Sequence, residues 1–199
     1  MTRTRTRTAR LFVAVDPPVG VREQLAAWAR TAIRGLGVRG SGGSSSVRVL
    51  DPELLHVTMC FLGDRPVDEI AAIGAALEGC ATSVGELSIG APLWLPPRRP
   101  RTLAVEVRDD STGGLAALHG ALTDGLARVC GYRAERRRFR AHVTLARLRA
   151  GLRGSRGGLE LPATPALSFT PTSVVLYRSW LSPAGASYEA LATRTLIPS

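Results

Sequence analysis

Along this 199-residue chain, apolar blocks of strand length alternate with longer stretches whose apolar residues fall at helical spacing. RLFVAVD (10–16) predicts a strand that stops at Pro17-Pro18. VGVREQLAAWARTAIRGLG (19–37) puts Val21, Leu25, Trp28, Ala29 and Ile33 on one face, which predicts a helix. VRVL (47–50) and LLHVTMCFL (54–62) predict strands. DRPVDEIAAIGAALEGCA (64–81) predicts a helix opened by Asp64 and Pro66. Strands at 85–96 and 101–107 flank the loop PPRRP, and a helix at 111–131 stops on glycine. AHVTLARL (141–148) predicts a further strand, and 166–180 with 186–196 a closing hairpin.

Three stretches carry no such pattern. Residues 1–9 alternate Thr and Arg without an apolar face, so a disordered basic tail is expected. RGSGGSSS (39–46) has the composition of a flexible loop, and GLRGSRGG (151–158) that of a second. The strand at 47–50 and those after it need the first strand as a partner. Residues 10–199 therefore read as a single domain with the 39–46 loop inside it.

The element order repeats. Strand 11–15, helix 19–37 and strand 54–62 form one unit; strand 102–107, helix 111–130 and strand 141–148 form another. A diverged duplication predicts two similar lobes about a pseudo-twofold axis, with the last strand of each unit facing a shared cleft.

Charge adds one constraint. The net charge is +10, and all 26 basic residues are arginine. Such a surface attracts polyanions, and guanidinium forks suit phosphate. The apolar stretches are too short for a membrane span, and the first one lacks the length and cleavage site of a signal peptide. A cytoplasmic location with no membrane association is expected. Cys60, Cys80 and Cys130 are odd in number and widely spaced, which predicts reduced, packed thiols in place of disulfides or a zinc site.

Two of the three histidines share a frame, and each lies in the last strand of a repeat unit. LLHVTMCFLG contains His56-Val57-Thr58-Met59; FRAHVTLARL contains His142-Val143-Thr144-Leu145. With 16 threonines in the chain, two such His-x-Thr coincidences arise by chance about 2% of the time. Strand alternation sets His56, Thr58 and Cys60 on one face and Val57, Met59 and Phe61 on the other; His142 and Thr144 likewise oppose Val143 and Leu145. Two imidazoles and two hydroxyls facing one cleft suit general acid–base catalysis near neutral pH. One imidazole takes a proton from the nucleophile and the other gives one to the leaving oxygen, while the hydroxyls steady a phosphoryl group. No HExxH, CxxC or nucleophile elbow points to a metal hydrolase or an acyl-transfer triad, and no cofactor is implied. The third histidine, His119, lies mid-helix in LAALHGAL and reads as structural. Arg98, Arg99 and Arg101 crowd one loop; Arg136, Arg137, Arg138 and Arg140 lead into the second frame, where Phe139 also stands. They are either a solvated face or a guide for an RNA strand.

With these frames, and with RLFVAVDPP near the start and VVLYRSWLSPAGASYEAL near the end, the chain resembles the 2H phosphoesterase superfamily. Within it, the chain resembles the RNA 2′,3′-cyclic phosphodiesterases of the ThpR/LigT type. The resemblance covers nearly the whole chain. It implies an α+β fold of two pseudo-symmetric lobes, each a small antiparallel-rich sheet with outer helices, and an active-site cleft between them. It implies His56 as proton donor, His142 as proton acceptor, and Thr58 and Thr144 as their hydroxyl partners. Arg147 matches an arginine that commonly follows the second frame, where it is either a phosphate contact or one half of a structural salt bridge. Its parity from His142 is wrong for a regular strand, so the phosphate contact needs a bulge or a strand end. From the residues themselves, Phe139 is either a core residue ahead of the strand or a platform that stacks on a base, and Arg140 is a further candidate for substrate contact. The implied substrate is RNA, or a small nucleotide, with a terminal 2′,3′-cyclic phosphate; no metal and no obligate protein partner are implied. The same site run in reverse is a 2′–5′ RNA ligase, and a non-catalytic RNA-binding module is the remaining alternative. The chain departs from the family pattern at Cys60, Val49 and Ala141 and in the 39–46 stretch, departures that touch substrate fit.

Overall fold

The structure is a computed structural model that describes residues 7–35, 47–80, 83–97, 100–109, 113–135, 137–148, 161–182 and 185–198. The loops expected at 39–46 and 151–158, together with Arg98, Arg99 and Arg136, lie outside the described residues, as do residues 1–6.

The first apolar run forms β1 (Thr8–Val15) and leads through the two prolines into helix α1 (Val19–Gly35). β1 begins two residues inside the stretch expected to be tail, because Thr8 and Ala9 pair with Pro66 and Arg65. β2 (Val47–Val49) and a 3-10 turn at Pro52–Leu54 precede β3 (Val57–Pro66). The helix expected from residue 64 starts later. Asp64, Arg65 and Pro66 continue β3 against Arg10, Ala9 and Thr8, a 3-10 turn spans Val67–Glu69, and α2 covers Ile70–Glu78. Pro66 is tolerated because it ends the strand, where no ladder donor is needed. Gly63 adopts φ 71° beside a break in the β1–β3 register, a conformation that favours glycine.

The second half repeats the scheme. β4 (Ser83–Val84), β5 (Leu87–Leu95) and β6 (Thr102–Arg108) lead into α3 (Gly114–Cys130). Gly131, at φ 62°, ends α3 as expected; its N–H donates to Ala127 and that of Tyr132 to Leu126, both satisfying last-turn carbonyls. β7 (His142–Leu148) comes next, then β8 (Ser168–Phe169). The expected hairpin is β9 (Ser173–Ser182) with β10 (Gly185–Thr195), and β11 (Ile197–Pro198) pairs with β4.

The strands join in the order β10-β9-β1-β3-β7-β6-β5-β8, with β2 also on β7. In each half, the two strands of a repeat unit are antiparallel neighbours: β1 with β3, and β6 with β7. The two lobes are therefore two halves of one nine-stranded hydrogen-bonded sheet, β10-β9-β1-β3 and β7-β6-β5-β8 with β2 added on β7, and β3 meets β7 through the pair Val57↔Val143. The helices cross between halves: α1 packs against β2 and β7, and α3 against β3 and α2. Leu11, Val13, Val15, Leu25, Leu118, Leu122, Leu126, Val57 and Val143 pack together in the core. Val57 and Val143 are fully buried beneath the junction, so the side chains flanking them project from the opposite face of the sheet.

Candidate active site

The two His-x-Thr frames sit at the junction of the lobes and are built alike. In both, the fourth residue is an extra one in its strand. Val13 pairs with Cys60 and Ala14 with Thr58, so Met59 is bulged out of the β1–β3 register. Leu103 pairs with Ala146 and Ala104 with Thr144, so Leu145 is bulged from β6–β7. Met59 and Leu145 are both buried. Burial of such a side chain is worth about 1.5–3 kcal/mol, which anchors each bulge and explains why the frame ends in an apolar residue.

Each bulge also shifts the parity of the residues after it, and here the regular alternation expected from the sequence is corrected. Cys60 is fully buried in the core with Val57 and Met59, while Phe61 turns out and is 46% exposed. A substitution at Cys60 therefore touches packing, and not substrate fit as its departure from the family pattern suggested. Burial pushes the Cys60 thiol up to about 11, which makes it inert; all three cysteines are free. In β7 the same shift buries Ala146 and exposes Arg147 opposite Thr102. Arg147 thus shares the face of His142 and Thr144, and its charge acts on His56 and Tyr188. Phe61 and Arg147 are counterparts, each five residues after its histidine.

Antiparallel pairing at Val57↔Val143 sets His56 toward Thr144 and Thr58 toward His142. The histidines then lie on a diagonal, about 7–8 Å apart at the backbone of a regular ladder. Their ring orientations match. His56 Nδ1 is 2.8 Å from the carbonyl oxygen of Leu54, and His142 Nδ1 is 2.8 Å from that of Arg140. A carbonyl only accepts, so each Nδ1 carries a proton and donates it. Nε2 is left in each ring as the nitrogen that can gain or lose a proton.

The surroundings of the two rings differ. His56 lies against Phe12 (centroids 4.8 Å apart) and edge-on to Tyr188 (5.3 Å). Phe12 also stacks on Tyr177 at 5.3 Å, whose hydroxyl donates to Asp16. Burial in this aromatic box pushes the His56 pKa down. The Leu54 carbonyl and the Asp16 carboxylate oppose that shift, and the charges of Arg147 and His142 add to it. His142 starts its strand opposite Glu106, a carboxylate 3.1 Å from Arg108 and 3.6 Å from Arg140. Sequence reasoning missed the aromatic box, although Phe12 alternates with the core residues Leu11 and Val13, and the tyrosines stand in paired strands.

From Thr58 and His142 a groove of about 780 Å³ runs over the second lobe. Phe139 lines it with one face stacked on His119, rings 4.1 Å apart. Arg140 lines it too, and its nearer service to the site is the carbonyl that holds His142. Among the described residues, no group of three or more His, Cys, Asp or Glu side chains is arranged to hold a metal ion.

Residues 21–179 match the 2′-5′ RNA ligase superfamily. The chain is 29% identical over 141 residues to the RNA 2′,3′-cyclic phosphodiesterase of Archaeoglobus fulgidus, covering 70% of this chain and 73% of that protein. Its fold superposes on a crystal structure of a Thermus thermophilus protein with TM-score 0.77 at 25% identity, covering 95% of this chain and 98% of the other. It also superposes on E. coli LigT complexed with 3′-AMP, with TM-score 0.74 at 25% identity, covering 96% and 99%. These neighbours share the α+β fold expected from the sequence.

Proposed function

Because the chain belongs to the 2′-5′ RNA ligase superfamily, we propose that it is an RNA 2′,3′-cyclic phosphodiesterase that opens a terminal cyclic phosphate to a 2′-phosphate. The observation that carries this reading is the matched pair of Nδ1–carbonyl hydrogen bonds, which presents two Nε2 atoms on one face of the sheet. The named activity of the archaeal relative supports it.

His142 Nε2 accepts a proton from water, whose oxygen bonds to phosphorus opposite O3′. The P–O3′ bond breaks, and His56 Nε2 gives its proton to O3′. Each imidazole ends in the other's starting state, and solvent exchange resets both. The hydroxyls of Thr58 and Thr144 donate to non-bridging oxygens, and Arg147 offsets the charge that gathers on them. Burial favours the neutral form of His56 in the free protein. The phosphate anion opposes that effect, so substrate binding itself charges the acid. With a 5′-hydroxyl in place of water as the nucleophile, the same step forms a 2′–5′ linkage, which is ligation, consistent with the name of the superfamily.

The test is product analysis after incubation with a 2′,3′-cyclic mononucleotide. A 2′-phosphate is the expected product. A 3′-phosphate, or no turnover by folded protein, overturns the reading; a joined product when 5′-hydroxyl RNA is supplied adds ligation to it.

A further inference from the structure

The groove beyond His142 is longer than the acid–base machinery needs. It is lined by Arg101, Arg137, Arg138 and Arg140, against one carboxylate, Glu135. Arg140 faces Glu106. Arg101, Arg137 and Arg138 are exposed and make no ion pair among the described residues. Three unpaired guanidinium groups that converge on a groove with a single lining carboxylate are arranged for an anion. Their spread along the groove suits a chain of phosphates better than a single one. Phe61 lines the same groove, 46% exposed, with the Arg10 guanidinium 4.7 Å from its ring centroid. An apolar ring left this open beside the reacting centre, with a cation on one face, is a platform for a nucleobase. The bulge at Met59 is what turns Phe61 into this position.

We propose that this groove holds the RNA strand on the 5′ side of the terminal cyclic phosphate. Phe61 stacks a base, and Arg101, Arg137 and Arg138 take backbone phosphates, so the protein selects oligonucleotides over mononucleotides. The proposal rests on the cyclic phosphodiesterase reading only for the identity of the strand end.

The test pairs binding with turnover. Binding is read by fluorescence anisotropy with a 5′-labelled single-stranded RNA pentamer ending in a 2′-phosphate, which requires no catalysis. The double variant Arg137→Ser/Arg138→Ser is expected to bind at least about tenfold more weakly at low salt. Its slope of log affinity against log salt is expected to shrink by about 1.4, two phosphate contacts on a single strand. Phe61→Leu is expected to weaken binding about tenfold with the slope unchanged. In turnover, the ratio of kcat/KM for a pentamer ending in a cyclic phosphate to that for the cyclic mononucleotide is expected to fall about tenfold in the double variant. Wild-type affinity and slope in the folded double variant overturn the groove assignment, even if the mononucleotide is hydrolysed. Arginine-dependent pentamer binding without any hydrolysis overturns the proposed reaction and leaves the groove standing.

Discussion

Replacing Arg147 by Gln probes the bulge at Leu145, because Arg147 faces the histidines only through that extra residue. The substitution removes a positive charge that lowers the His56 pKa and, under the proposed mechanism, a charged donor for the phosphoryl oxygens. Hydrogen bonds to charged groups are worth about 1.5–3 kcal/mol, so kcat/KM on a 2′,3′-cyclic mononucleotide should fall by about 10- to 150-fold. The pH effect has a fixed sign. With the repelling guanidinium gone, His56 holds its proton to higher pH, so the limb of the kcat/KM profile that reports His56 moves upward. Arg147 is exposed, so stability should change by less than about 0.5 kcal/mol, and thermal melts separate folding from function. An unchanged kcat/KM together with an unmoved limb would refute the reasoning, and a limb that moves down would reverse the electrostatics assigned to this side chain.

The other expectations concern the same site. Thr58→Ala and Thr144→Ala should each cost about 1–3 kcal/mol of transition-state stabilisation, as lost donors to phosphoryl oxygen, seen as lower kcat/KM with unaltered melting; activity equal to wild type in either removes that threonine from the mechanism. Leu145→Ala should destabilise the fold by about 2–5 kcal/mol, because that side chain is fully buried and anchors the bulge; a melting curve that superposes on wild type contradicts the anchoring. Turnover should persist in EDTA, since imidazoles occupy both proton-transfer positions; loss of turnover on chelation, restored by added zinc or manganese, shows a metal-dependent reaction.

The repeat of strand, helix and strand was legible because each element has its own apolar period, and the paired His-x-Thr frames were legible because they recur at matching places in that repeat. The bulges at Met59 and Leu145 were not. A bulge is set by which partner residues a strand meets, and Val13–Ala14 and Leu103–Ala104 lie far from the frames in sequence. Strict alternation consequently placed Cys60 with His56 and hid Phe61. Asp64 and Pro66 carry a genuine helix-start signal locally, but pairing of Thr8, Ala9 and Arg10 with β3 overrides it. The need for a bulge before Arg147 was visible from parity alone, because a charged residue expected at a cleft stood an odd number of positions from His142. His119 carries no frame, and only the fold brings it to the groove, stacked on Phe139.

The central claim is that two imidazoles act in opposite protonation states, and the pH dependence of kcat/KM for wild type, His56→Ala and His142→Ala tests it most directly. The acceptor must be neutral and the donor protonated, so the rate rises as His142 loses its proton and falls as His56 loses its own. Burial lowers His56 below its ordinary value of 6.5 in the free protein, so the descending limb of kcat/KM should lie on the acid side of that value. In kcat, where the phosphate anion is bound, it should move to higher pH. Each variant should lose about 10²–10⁴-fold in rate. In the residual activity, His142→Ala should lack the ascending limb and His56→Ala the descending one. Limbs exchanged between the variants would reverse the donor and acceptor roles; a profile flat from about pH 5 to pH 9, with chemistry rate-limiting, would contradict two-histidine catalysis.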